Sequence, residues 1–208
     1  TISKDIKWGQ TWNVTATYRY KPVTAIKITK AESELTEASL DYYETNSASN
    51  DKIQLACALT PSDVILSGDI IWSTKSNAVA ADQNGLVTAK GTDGAPSTDA
   101  KVTVTAAAKD GSVTSSEITI HTIQRAAGIS SDITAKTLEI GSKVTFKAET
   151  KPIYAKNNAV VWTSSNEAAA SVSQGTVTAL SRGTAKITAM TEDGGFIASA
   201  VITVKART

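Results

Sequence analysis

Val160-Val161-Trp162-Thr163-Ser164 repeats, in the same chemical terms, the stretch Ile70-Ile71-Trp72-Ser73-Thr74 that lies ninety residues earlier. Thirteen residues beyond each tryptophan a glycine opens a short strand-like run, Gly85-Leu86-Val87-Thr88-Ala89 and Gly175-Thr176-Val177-Thr178-Ala179. Upstream, Lys52-Ile53-Gln54-Leu55-Ala56-Cys57-Ala58-Leu59-Thr60-Pro61 aligns without a gap on Lys143-Val144-Thr145-Phe146-Lys147-Ala148-Glu149-Thr150-Lys151-Pro152. Downstream, Ala100-Lys101-Val102-Thr103-Val104 answers Ala185-Lys186-Ile187-Thr188-Ala189. A period near ninety is too long for a solenoid unit and suits a whole small domain. The sequence therefore reads as one module used twice: residues 23–124 with loop insertions, residues 125–208, and a strand segment, residues 1–22, ahead of both.

Composition narrows the function classes. The chain has 208 residues, of which 5% are aromatic, so each module must build its core mainly from Val, Ala, Thr and Ile, residues suited to half-buried strands. With 21 basic against 20 acidic residues and no block of like charge, neither a nucleic-acid groove nor an anionic membrane surface is expected as partner. Cys57, the one cysteine, cannot close an intrachain disulfide. No apolar run approaches the ~20 residues that span a bilayer. The chain opens directly in strand-like sequence and reads as part of something longer.

Alternation of apolar and polar residues runs almost throughout, broken by Gly, Asn, Asp, Ser and Pro. Ile53, Leu55, Cys57 and Leu59 share one face of a run, and Lys109-Asp110-Gly111 and Glu192-Asp193-Gly194-Gly195 read as hairpin turns. Many short antiparallel strands imply sandwiches, not parallel βαβ units. The single helix candidate is residues 31–40. The join falls in Gln124-Arg125-Ala126-Ala127-Gly128, too short for a loose tether, so the modules are expected to meet end to end with limited swing. Repeat one has two insertions, Leu40-Asp41-Tyr42-Tyr43-Glu44-Thr45-Asn46-Ser47-Ala48-Ser49-Asn50 and Gly91-Thr92-Asp93-Gly94-Ala95-Pro96-Ser97-Thr98-Asp99. Both read as loops, where a rigid sandwich carries its binding residues.

The run Trp162-Thr163-Ser164-Ser165-Asn166, then Ala170-Ser171-Val172, Gly175-Thr176-Val177-Thr178-Ala179 and Gly183-Thr184-Ala185-Lys186-Ile187-Thr188-Ala189 resembles the signature of the bacterial immunoglobulin-like group 2 (BIg2) family. The resemblance covers residues 129–206 throughout. It is looser over residues 23–124, where Asp82 aligns with Val172 and the Gly-Thr-Ala corner is overwritten. It implies two tandem Ig-like β-sandwiches of about seven strands each, with no catalysis. It also implies tandem arrays of the kind found on intimin- and invasin-like surface proteins, on secreted carbohydrate-active enzymes and on phage virions. Independently, Ile70 and Trp72, like Val160 and Trp162, share a face, so Trp72 and Trp162 are expected to anchor the two cores.

Candidate sites are few. Cys57 points with Ile53, Leu55 and Leu59 and reads as a buried structural cysteine. His121, the only histidine, faces away from its neighbouring isoleucines and has no second ligand nearby, so no metal is expected. Asp93, Asp99, Asp69 and Asp110 lack any calcium-loop spacing and read as solvated turn residues. The first twenty residues hold Trp8, Trp12, Tyr18 and Tyr20 on one face of an extended run. Such a face is either a strand of a preceding or capping layer or a stacking platform for sugars. The candidate ligand-contact residues are Trp8, Trp12, Tyr42 and Tyr43. No catalytic residue and no cofactor is expected.

These readings combine into a monomeric, non-catalytic spacer of a bacterial surface or secreted protein, with adhesion to an extracellular protein or glycan as an added role. A carbohydrate-binding accessory module of a secreted enzyme and a phage virion module are the rival readings.

Overall fold

Val102, Val104 and Ala106 on one strand, and Ile118 and Ile120 on the next, are fully buried, while the residues between them face outward. That period of two organises the whole chain. The computed structural model describes residues 19–44 and 50–207. Trp8 and Trp12 lie outside the described residues.

The first sandwich comprises β1 (Ala25–Lys30), β2 (Ser33–Glu34), β3 (Glu37–Tyr42), β4 (Lys52–Gln54), β5 (Ala56–Thr60), β6 (Ile71–Thr74), β7 (Val79–Ala81), β8 (Leu86–Ala89), β9 (Ser97–Ala107) and β10 (Val113–Gln124). One layer has the order β3-β10-β9-β6; the other is split into β2-β1-β5 and β4-β8-β7. Between them lies one core that includes Ile26, Ile28, Leu40, Ile53, Leu55, Trp72, Val87 and Val104. The second sandwich repeats this order with β11 (Gly128–Ser131), β12 (Lys136–Glu139), β13 (Lys143–Thr145), β14 (Ala148–Lys151), β15 (Val160–Ser164), β16 (Ala170–Ser173), β17 (Thr176–Ala179), β18 (Gly183–Thr191) and β19 (Ile197–Lys205). Its layers are β12-β19-β18-β15 on one side, and β11-β14 with β13-β17-β16 on the other. In each sandwich a short strand runs parallel to the last one, β3 on β10 and β12 on β19. Pro61 and Pro152 follow cis peptide bonds at matching points. The fold is all-β, two tandem Ig-like sandwiches, and no helix occurs among the described residues.

The spacing from tryptophan to glycine now has a cause. The strand before Trp72 breaks at Leu55, whose amide donates to the Gly85 carbonyl at 2.9 Å; Phe146 and Gly175 repeat that bond at 2.9 Å. Gly85 and Gly175 both have φ near +80°, and each lies under the indole of its module. A Cβ on Gly85 would come within 2.6 Å of the Leu55 carbonyl oxygen and 3.0 Å of Trp72 Cε2. On Gly175 the same atom would collide with the Phe146 carbonyl oxygen and crowd the Trp162 ring. Only glycine meets both the backbone and the packing demand. Trp72 is buried; Trp162 is half-buried and packs on the edge of its core.

Four sequence readings are corrected. Residues 31–40 form no helix: Ala31 and Glu32 adopt positive φ in a tight turn, and the segment beyond pairs with β10 to bury Leu40. Tertiary burial overrides a weak local propensity there. Leu40, Asp41 and Tyr42 are strand residues with counterparts in β12, so the extra chain starts only at Tyr43: nine residues separate β3 from β4, against three between β12 and β13. Ser97, Thr98 and Asp99 extend β9 instead of forming a loop. Asp82 is not the counterpart of Val172. Ala81 pairs with Val87 as Val172 pairs with Val177, and Asp82 closes the following turn by accepting from the Asn84 and Leu86 amides, both at 2.9 Å.

Gly175→Ala and Gly85→Ala are each expected to destabilise their sandwich by about 1–3 kcal/mol, since strain and overpacking act together. Gly68→Ala, which meets open space, should stay within about 0.5 kcal/mol. Urea denaturation of the three variants checks this; equal midpoints would refute the packing argument.

Candidate functional site at the joint between the sandwiches

β10 ends on Gln124, whose side chain is turned inward and 1% exposed. Its amide oxygen accepts from buried Thr92 Oγ1 at 3.2 Å, and its Nε2 donates to the Arg125 carbonyl at 3.0 Å. Its backbone bridges the sandwiches: the amide donates to Pro96 at 3.0 Å, and the carbonyl accepts from the Lys156 amide at 2.8 Å. The Arg125 amide then donates to Tyr42 in the first sandwich at 2.9 Å, while the Ala127 amide donates to Lys151 in the second at 2.7 Å. Every polar backbone group named in this linker is held by one body or the other, as buried peptide groups require.

Arg125 is the centre of the joint. Its Nη2 donates to Asp193 Oδ1 at 2.8 Å, and its Nη1 lies 3.8 Å from Asp41 Oδ1. Asp193 is a second-sandwich residue in the turn between β18 and β19, its side chain only 6% exposed; Asp41 lies on β3 of the first. The other oxygen of Asp193 accepts from the Ala126 amide at 2.9 Å, so one carboxylate grips the linker twice. The turn that aims it is fixed by Thr191, whose Oγ1 donates to the Asp193 carbonyl at 2.6 Å and accepts from the Phe196 amide at 3.0 Å. Burial works against the Arg125 charge, but Asp193, Asp41 and Tyr43 outweigh it and hold the guanidinium above its ordinary value. Arg125 Nε is buried without a hydrogen-bond partner, so the offset comes from the contacts of the other guanidinium nitrogens. A second crossing bond runs from Tyr154 Oη to Glu44 Oε1 at 2.5 Å.

The candidate contact residues divide. Tyr42 and Tyr43 are half-buried and line a shallow hollow of about 320 Å³ with Asp51, Lys52, Thr88, Ala89 and Lys90. Tyr42 also packs on the first core. Trp8 and Trp12 lie outside the described residues. Cys57 is half-buried against the core, and burial pushes its thiol up. The acidic residues considered for calcium are not gathered: Asp110 accepts from the Ser112 amide and hydroxyl, and Asp99 pairs with His121. Arg125, Asp193 and Asp41 were not singled out by the sequence. The short linker pointed to a joint, but nothing local links Arg125 to a carboxylate 68 residues away.

His121 is more than a solvated strand residue. Its Nδ1 lies 2.6 Å from Asp99 Oδ1 on β9 and its Nε2 3.4 Å from Glu37 Oε2 on β3, so the ring ties three strands together. Lys101 on β9 is the neighbouring cation on that face, opposite Thr119. Asp99 first and then Glu37 raise the imidazole above its ordinary value.

The fold and joint define a tandem Ig-like β-sandwich protein. Residues 126–202 match the family of bacterial Ig-like domains (group 2). The chain is also 31% identical over 175 residues to an uncharacterized protein of Clostridium acetobutylicum; the match takes in 82% of this chain and spans 16% of that protein's length. Among solved structures, extracellular cadherin domains 3–6 of protocadherin gamma B2 give a TM-score of 0.54 at 11% identity, over 90% of this chain and 53% of that one. The EC1–2 fragment of human protocadherin-24 gives 0.51 at 13% identity, over 89% and 100%. At such identities the likeness is one of fold.

His121 should make stability pH-dependent. With its folded value raised, its contribution is complete below the ordinary value of about 6.5 and is lost as pH rises through the folded value. The Tm difference between the protein and His121→Gln should therefore shrink from about pH 6 to pH 8. A difference that holds constant across that range would show the pairing to be inert.

Proposed function

We propose that this chain is a non-catalytic spacer of a bacterial cell-surface or secreted protein, two Ig-like modules joined at a set angle. The observation that carries the reading is the linker, in which Gln124, Arg125, Ala126 and Ala127 are hydrogen-bonded to both bodies and Asp193 holds two of them. A spacer that only needed reach would use a solvated Gly/Ser tether. Here a buried carboxylate, Asp193, grips the linker twice, which makes sense where direction matters. The family match of residues 126–202 supports the bacterial assignment, and the looser sequence likeness of residues 23–124 supports tandem use at the cell surface.

The test is ¹⁵N relaxation combined with small-angle scattering. The two sandwiches of the unaltered chain should tumble as one body. Asp193→Ala removes the Arg125 pair and the Ala126 bond together, costing on the order of 2–3 kcal/mol of docking. The sandwiches should then tumble separately and the scattering envelope broaden. Independent tumbling before any substitution would sink the proposal.

A second reading, glycan contact, is favoured by one observation: Tyr42 and Tyr43 flank the hollow together with Asp51, Lys52 and Lys90, giving aromatic and charged groups side by side. Specific retention on a glycan array that Tyr43→Ala abolishes would support it. Retention unchanged in that variant, or none at all, would leave the spacer reading alone.

A further inference from the structure

The hollow lined by Tyr42 and Lys90 opens at the end of the first sandwich where its two layers part. Tyr42 closes β3 in one layer; Lys52 opens β4 and Lys90 follows β8 in the other. The second sandwich shows what this place needs for folding alone. Lys143 lies opposite Thr178 as Lys52 lies opposite Thr88, and the Ala179 amide donates to Ser142 as that of Ala89 donates to Asp51. The Leu180 amide donates to Ala169 as that of Lys90 donates to Ala78, so exposed Leu180 stands in the place of Lys90. Ile140 stands in that of Tyr42, since Leu138 and Leu40 just before them pack on their own cores. The same end of the fold is thus built once with Ile140, Lys143 and Leu180, and once with Tyr42, Tyr43, Lys52 and Lys90. Folding demands neither the tyrosines nor the second cation.

Among the described residues, neither Lys52 nor Lys90 forms an ion pair. Asp51 is the one carboxylate on the wall, which leaves two cations against one anion. The tyrosine side is held from across the joint. Asp41 lies 3.8 Å from Arg125 Nη1, the Tyr42 carbonyl accepts from the Arg125 amide, and Tyr43 stands beside the same guanidinium. Glu44 accepts from Tyr154 of the second sandwich, and Asp193 fixes the Arg125 on which the segment rests. The second sandwich therefore positions the aromatic wall without lining the hollow.

We infer that the hollow binds an acidic sugar, its ring against the tyrosines and its carboxylate between Lys52 and Lys90, with affinity set by the state of the joint. A volume of about 320 Å³ falls at the small end for ligand pockets and suits a short saccharide. A neutral sugar would use only the tyrosines and a simple anion only the lysines; an acidic sugar uses both. Because Arg125 backs Tyr43, ligand and docked joint favour one another, and linkage makes that effect reciprocal. The inference rests on the glycan-contact reading and names its ligand.

The test is an NMR titration of the whole chain with glucuronate, its methyl ester and glucose. Glucuronate should shift the amides of Tyr42, Tyr43, Lys52, Thr88 and Lys90. Removing the charge, in the ester or in glucose, should weaken binding about tenfold, as should Lys90→Leu, which copies Leu180. Thermal unfolding of Lys90→Leu should match that of the unaltered chain. Asp193→Ala removes no group from the hollow, yet it should also lower the affinity for glucuronate; Tyr154→Phe, a surface change, should act in the same direction. Equal binding of acid and ester would overturn the role of the lysines. Unchanged affinity in both joint variants would overturn the coupling. If glucuronate causes no shift while retention on the glycan array still depends on Tyr43, this inference alone fails. Loss of both signals removes the glycan-contact reading beneath it.

Discussion

An indole lying on a glycine sets the geometry of each sandwich. Trp72 comes from β6, in one layer, and Gly85 from the turn before β8, in the other, so their contact spans the core. The thickness of the ring fixes how far apart the layers can stand. The glycine must also pass close to the carbonyl of the residue that interrupts the facing strand, Leu55 in one module and Phe146 in the other. A core made largely of Val, Ala and Ile has few large side chains to hold its sheets in one relation, and this three-part contact supplies that definition. It explains why two modules of differing loops keep the same strand order.

The fold was legible because its determinants are local or repeated. Alternation identified the strands, Asp-Gly pairs marked hairpins, and recurrence of Trp72 at Trp162 exposed the duplication. Legibility failed where spatial partners decide structure. Residues 31–40 carry a faint helical pattern, yet pairing with the last strand of the module draws Glu37–Tyr42 into the sheet. Asp82 resembled a misplaced core residue because an ungapped alignment hides compensating one-residue changes on either side of β7. The sequence showed Tyr42 and Tyr43 as a pair, but not that Tyr42 lies on a strand and Tyr43 beside Arg125. The short linker implied limited swing; the chemistry of the joint was hidden by the distance along the chain between Arg125 and Asp193.

Burying an ion pair is a poor way to gain stability, since desolvation offsets much of the attraction. Its value at Arg125 is discrimination. The Asp193 side chain is 6% exposed and that of Arg125 36%, so an approach that misaligns the two leaves the carboxylate stranded. Small buried side chains such as Ala126 and Ala155 impose far less on orientation. Polar and apolar parts of the joint therefore divide the labour: small side chains permit close approach, and the charges select one orientation.

The parallel pairing of β3 and of β12 with the last strand of their modules bears on force. When a module is drawn out by its two ends and β1 has given way, β3 and β10 are pulled in opposite directions along their common axis. Their hydrogen bonds are then loaded in shear, all together, instead of being peeled one at a time. Six residue pairs link β3 to β10, but four link β12 to β19, so the first sandwich opposes the longer ladder to such a load. A tether with unequal clamps absorbs a sudden pull by sacrificing one module while the other keeps the connection intact.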